Sequence, residues 1–385
     1  MGIVLGIFGL VVLLGWLFVE FQYRRRPGNA LEMTAGVWDI KNQQADHYRL
    51  LGTLELINRT RRFEIMVPEL TAEAQLLSKG SLDGITTQVQ VTPAHPDAEA
   101  RPDGYWFGYI VKRKPTTVKI TVDIRGEDLS ELQSAWVKVH FMTYGPQGRI
   151  PKIRHIVVPL KFPSPEVSHR WRPASNADVL PIRTHLLTHL DDPVEIVKRY
   201  VQPHAQPGDV VTIGETPLAL MQERFRHPSE VKPGWLASRI CYYFMPTSSL
   251  ATACGMQTLV DIVGAWRVFW AFVLGAIAKK LLNQPGAFYQ LAGEQARLID
   301  DVTGTLPPYD QFIVLGPDNP QQVVDLIQQQ TGISAAVVDV NDLKAVKILA
   351  GTADIPAGFL EQALISNPAG NADEQTPIVL IRPTA

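Results

Sequence analysis

The side chains best suited to chemistry fall in two short acidic runs. Asp300 and Asp301 are adjacent, while Asp339 and Asp342 bracket Asn341 at the end of the apolar run 335–340. Carboxylate and amide oxygens suit magnesium or manganese, and such ions usually accompany phosphates. Acids at the carboxyl end of a strand in an open sheet also stand where ligands normally enter; their other common use is to cap turns. Cys241 and Cys254 are the only cysteines and form no C-x-x-C pair, so a metal here would be bound through oxygen. Both read as free thiols of a reducing compartment. G-x-x-x-x-G-K-[ST], G-x-G-x-x-G, G-x-S-x-G and H-E-x-x-H do not occur, which removes the common nucleotide-loop, hydrolase and zincin readings.

The elements that must position these acids follow from hydrophobic periodicity. Residues 118–124 alternate apolar and polar as a half-buried strand does, and further strand-like runs cover 47–57, 63–67, 85–91, 105–111, 136–144 and 155–162. About seven short strands without a long helix predict an antiparallel sandwich. The basic residues Arg59, Arg61 and Arg62 and the run 112–114 either face anionic lipid or are solvated turn and edge charges. Residues 163–173 are proline-rich and aperiodic, as a linker would be. Strands and helices then alternate. Asp192, Pro193 and Glu195 have the order of an N-cap, a first-turn proline and a capping acid, and 210–213 reads as a strand. Runs 311–315 and 335–340 flank a helix capped by Asn319 and ended by Gly332, a unit long enough for a parallel crossover or a ferredoxin-like antiparallel arrangement, and 377–382 is a final strand. The fold class expected is α+β: an anchor over 1–28, a β-sandwich-like domain over 29–162, a linker over 163–175 and a mixed α/β domain over 176–385.

The anchor rests on residues 1–19, which carry no charge, in a chain of 385 residues that is 46% hydrophobic and 19% charged. At ~1.5 Å per residue such a helix crosses a ~30 Å hydrocarbon core. The segment lacks the basic start and small-residue cleavage site of a signal peptide, and Arg24, Arg25 and Arg26 follow it. The positive-inside bias therefore predicts one span with the bulk of the chain cytoplasmic. A second apolar block, 268–278, holds only 11 residues between Arg267 and Lys279, too few for a span, and predicts a buried or membrane-grazing helix. A formal charge of −2 argues against a nucleic-acid partner.

Residues 179–182, the helix from Asp192 and the run 206–211 (QPGDVV) resemble the opening of the coenzyme F(420)-0:L-glutamate (gamma-glutamyl) ligases. Residues 315–320 (LGPDNP), Thr331-Gly332-Ile333 and Val337-Val338-Asp339 resemble that family's second half, and Asp300 in 296–300 (ARLID) matches the position of its Gly-Ile-Asp metal-binding element. The resemblance spans about 178–385 and is nearest to the membrane-anchored cyanobacterial members. It implies a plasma or thylakoid membrane location, a small-molecule substrate joined to glutamate, manganese or magnesium, GTP as co-substrate, and a gamma-glutamyl amide as product. The implied metal residues are Asp300 and Asp339, with Asp301, Asn341 and Asp342 as neighbours; the sequence identifies no catalytic acid or base. Where the family carries a lysine- and serine-bearing stretch, residues 214–222 contain no lysine. Arg224 and Arg226 are the nearby phosphate-binding candidates, since a guanidinium grips phosphate bidentately, or else they are solvated loop charges. The other functional reading is a ligase-like scaffold or assembly factor docked on a larger membrane protein complex.

Overall fold

A computed structural model describes residues 2–25, 29–60, 63–164, 170–284, 286–301, 306–340, 344–370 and 372–384. The chain forms two compact units, one comprising Met1–Ala74, Ile85–Glu127 and Lys138–His155, the other Gln75–Gly84, Asp128–Val137 and Ile156–Ala385. Together they give an α+β fold.

The first unit opens with α1 (Gly2–Arg25), which is long and apolar enough to cross a membrane; none of its window Gly6–Tyr23 is buried. Nine strands follow, of which β4, β8 and β9 run partly in residues of the second unit: β1 (Leu31–Met33), β2 (Val37–Gln43), β3 (His47–Asn58), β4 (Ile65–Ser78), β5 (Thr86–Ala94), β6 (Tyr109–Val111), β7 (Thr116–Arg125), β8 (Leu132–Gly145) and β9 (Gly148–Pro159). They make one sheet in the order β1-β3-β7-β5, with β2 also on β3, and a second in the order β6-β4-β8-β9. The period of two is visible in β7, where Val118, Ile120, Val122 and Ile124 are fully buried and Lys119 is exposed between them. That alternation fixes the antiparallel register of β7 with β3, because a one-residue slip would turn the valines and isoleucines to water. β1 and β2 lay outside the strands expected from sequence: β1 has only three residues, and β2 is a half-exposed strand without a run of buried apolar positions.

The second unit is built on a six-stranded mixed sheet ordered β10-β11-β18-β12-β16-β17. Its elements in chain order are β10 (Arg172–Pro173), β11 (Ala177–Ile182), α2 (Pro193–Tyr200), β12 (Val210–Gly214), α3 (Glu215–Met221), β13 (Phe225–Arg226), α4 (Trp235–Ile240), α5 (Ala253–Val263), α6 (Ala265–Leu281), α7 (Ala287–Ala292), α8 (Gln295–Leu298), β14 (Asp300–Asp301), β15 (Ile313–Val314), α9 (Pro320–Thr331), β16 (Ser334–Val340), β17 (Val346–Gly351), α10 (Phe359–Leu364) and β18 (Ile378–Pro383). On one face of the sheet, Val211, Ile213, Ala335 and Val337 pack with Val197 and Tyr200 of α2 and Val324 and Ile327 of α9. On the other, Val210, Ala336, Val338 and Val379 pack with Leu360, Ala363 and Leu364 of α10. A strand covered on both faces has no polar alternation, which is why β16 reads as a continuous apolar run.

The start of α2 is as expected: Asp192 accepts hydrogen bonds from the Val194 and Glu195 amides at 2.9 and 3.1 Å, a cap worth ~1 kcal/mol. Asn319 differs. It precedes α9 in a left-handed conformation (φ 43°) and its side chain caps no amide; Pro320 starts that helix, and Gly332 (φ 73°) ends it. The crossover expected from β15 through α9 to β16 also differs, because β15 pairs with β13 and β14 in a separate three-stranded sheet. The parallel partner of β16 is β12, more than a hundred residues earlier.

Candidate functional site

Strands β12 and β16 run parallel in matched register from Val210 opposite Ser334 to Gly214 opposite Val338. The residues at the next step, Glu215 and Asp339, therefore emerge side by side at the carboxyl end of the sheet, and Lys347 of β17 stands directly across from Asp339. Asp300 arrives from β14, held opposite Val314 of β15. All three acids line one cleft of about 510 Å³, together with Arg297, His185 and Tyr309.

Charge and burial shape this cleft. Glu215 is half-buried, and loss of hydration pushes its carboxyl up to about 8, with the Asp339 and then the Asp300 charge adding to the rise and Lys347 opposing it. Asp300 keeps an exposed surface on the cleft, yet lost hydration, then the Asp339 charge, raises its carboxyl above the usual range. Glu215 consequently holds its proton at neutral pH. His185 is buried, with Nδ1 at 2.8 Å from the Tyr200 hydroxyl and Nε2 at 3.0 Å from Asp191 Oδ1. The wholly buried Tyr309 hydroxyl has no hydrogen-bond partner among the described residues.

Of the residues singled out from sequence, Asp300 and Asp339 come together at this cleft. Asp301 does not line it. On the opposite side of β14 it accepts a hydrogen bond from the Thr252 hydroxyl at the start of α5. Asn341 and Asp342 lie outside the described residues. Arg224 and Arg226 do not line the cleft either. Arg224 donates from Nε to the Gly316 carbonyl at 2.8 Å and from Nη2 to Gln295 at 3.3 Å, and Arg226 pairs with Asp261 at 2.7 Å. The cleft cation that sequence reasoning missed is Arg297, three residues before Asp300. Glu215 was missed as a site group because its meaning depends on Asp339, far away in the chain.

Among the described residues no three His, Cys, Asp or Glu side chains stand together closely enough to hold a metal ion. What Glu215, Asp300 and Asp339 share is a set of oxygen donors on one cleft and a mutual repulsion that a divalent cation would relieve. In kind, that donor set fits magnesium or manganese.

The structure thus defines a chain with an antiparallel β module and a mixed α/β domain that carries an acidic cleft. Residues 32–162 match the family model described as F420-0:gamma-glutamyl ligase, N-terminal Ig-like domain. This is the family that residues 178–385 resemble, while the match covers about a third of the chain and falls in its first half. No curated protein matches the chain. Similar solved structures include the GAE domain of yeast GGA1 (11% identity, 35% of this chain and 96% of that one, TM-score 0.20). Another is the CupB6 tip adhesin of Pseudomonas aeruginosa (9% identity, 41% and 69%, TM-score 0.24).

Proposed function

We propose that this chain is a membrane-anchored ligase that forms a gamma-glutamyl amide on a deazaflavin-type or related carboxylate, using GTP and manganese or magnesium. The observation that carries the reading is the convergence of Glu215, Asp300 and Asp339 on one cleft, and the match of residues 32–162 to a ligase family's N-terminal domain supports it. A carboxylate is a poor electrophile, so its oxygen first attacks the γ-phosphorus of GTP and GDP leaves. The glutamate amine then attacks the acyl phosphate carbonyl and phosphate departs. Asp300 and Asp339 would be the residues to hold a divalent cation, which would supply charge neutralisation for the phosphoryl transfer.

The chain's own groups match the remaining needs. Arg297 lines the cleft and offers a guanidinium to phosphate oxygens, in place of Arg224 and Arg226, which are engaged elsewhere. Glu215, pushed up to about 8, accepts the proton that the attacking amine must lose only in its ionised form, whose share grows as pH rises towards 8. Buried His185, held between Asp191 and Tyr200, is a fixed wall of the cleft rather than a free base.

The test is incubation of the detergent-solubilised full chain with GTP, manganese, glutamate and a deazaflavin acceptor. GDP, phosphate and a glutamylated product should appear together, and be lost in Asp300→Asn. The absence of lysine from 214–222 favours a second reading, a ligase-like scaffold on a membrane protein complex. Failure of the intact protein to bind GTP or to turn over would leave the scaffold.

A further inference from the structure

We propose that the outer face of α6 is a membrane-surface contact: the helix lies along an anionic bilayer with Trp266, Trp270, Leu274, Ile277 and Leu281 in the headgroup boundary. These five large apolar residues are all exposed, Trp266 at 77% and Leu281 at 75%. Their spacing of three or four residues makes one stripe about 22 Å long at ~1.5 Å per residue. At about 100° per residue, Arg267, which donates from Nε to the Leu291 carbonyl at 3.1 Å, falls on one margin of the stripe and the exposed Lys280 on the other, where a basic side chain can reach lipid phosphates while its stem lies on the apolar surface.

The opposite face is committed to the protein core. Val268 and Ala271 are buried in the helical cluster with Met256, Leu259 and Phe288. Gly275 admits the α7 backbone so closely that a Cβ there would lie 3.0 Å from the Phe288 nitrogen. With one face packed, charges at both ends and a bend of 113° from α5, α6 does not make a straight span, but it can lie on a bilayer. Charge complementarity selects the occupant. Between Glu230 and Glu294, residues 231–293 hold Lys232, Arg239, Arg267, Lys279 and Lys280 against the acid Asp261, which is paired with Arg226, in a chain whose net charge is −2. A Trp-rich stripe in a basic, nearly acid-free segment fits the surface of an anionic leaflet. The contact is independent of the reaction proposed above.

The test places the full-length protein, one copy per nanodisc, in phosphatidylcholine and phosphatidylglycerol with brominated acyl chains, which quench nearby tryptophan emission. The chain has eight tryptophans. Trp16 of α1 reports the anchor, and Trp266 and Trp270 report α6. The Trp266→Phe, Trp270→Phe double variant, which changes only exposed positions, should lose at least half of the bromine-quenched intensity, and Trp16→Phe should leave quenching from α6 in place. Equal quenched intensity in the wild type and the double variant would overturn the proposal, and is what a face covered by another protein or a second copy would give. Quenching at Trp266 and Trp270 without any at Trp16 would keep this surface and remove the anchor, so the two readings fail separately.

Discussion

Glu215, the first residue of α3, and Asp339 of β16 each follow the last matched pair of two parallel strands: the register that sets Gly214 opposite Val338 makes them neighbours although 124 positions separate them. Two acids brought to one sheet edge cannot both ionise cheaply. Burial together with the Asp339 charge leaves Glu215 protonated up to about pH 8.

That proton makes stability depend on pH. The folded-state value of about 8 lies above the ordinary 4.5, so folded Glu215 keeps a proton that the unfolded chain releases. Its stabilising contribution is complete below the unfolded value and is lost as pH rises through the folded one. Glu215→Gln, neutral at every pH, should match the wild type near pH 5 and melt a few degrees higher at pH 9, as measured by differential scanning calorimetry. Parallel melting curves across that range would show that Glu215 is ionised throughout.

Removing Asp339 should give a crossed result. Asp339→Asn relieves the repulsion on Glu215 and Asp300, so without divalent ions the variant should melt above the wild type at pH 8. With manganese the order should reverse, since the wild type gains a ligand-linked increment that the variant lacks. Asp301→Asn should leave the manganese increment intact, because Asp301 is engaged with Thr252. An increment of the same size in Asp339→Asn would rule that carboxylate out as a ligand.

The sequence disclosed local structure better than it disclosed adjacency. Val118 to Ile124, the Asp192 cap and the apolar run of β16 were legible because their signals lie within a few residues. The pairing of β12 with β16 was not, since strand order depends on packing of α2 and α9 over a shared core. Hence Asp339 was visible as an acid at a strand end, whereas Glu215 gained its meaning only from the fold. Arg224 and Arg226 show the converse. Their charge was plain in sequence, but Gly316, Gln295 and Asp261 consume it.

A third stability prediction concerns the base of the same sheet. Arg382 of β18 donates from Nε and Nη2 to the two oxygens of the almost fully buried Asp209, at 3.0 and 2.8 Å, and stacks on Trp171 with 4.3 Å from its guanidinium carbon to the ring centre. Arg382→Met keeps the stem but strands the carboxylate, and should cost about 3 kcal/mol in urea unfolding. The double variant with Asp209→Asn should recover part of that loss. A single variant within a few tenths of a kcal/mol of the wild type would show that water solvates Asp209 as well as Arg382 does.

The last prediction concerns α1. Its residues 2–19 are apolar around the helix, and none of the window Gly6–Tyr23 is buried against the protein. An isolated helix of this kind gains nothing from water, while burying about 20 apolar residues in a bilayer satisfies both its side chains and its backbone. Full-length protein should therefore remain in the membrane pellet after alkaline carbonate washing, with its first residues uncleaved. Deletion of residues 2–28 should make it extractable by salt, because the α6 surface alone holds by headgroup attraction and a shallow apolar stripe. Orientation follows from a second measurement: protease added to sealed right-side-out vesicles should spare both folded units, as the arginines after the span require. A mature N-terminus beginning beyond residue 20 would identify α1 as a cleaved signal sequence, and digestion of the β module would invert the topology.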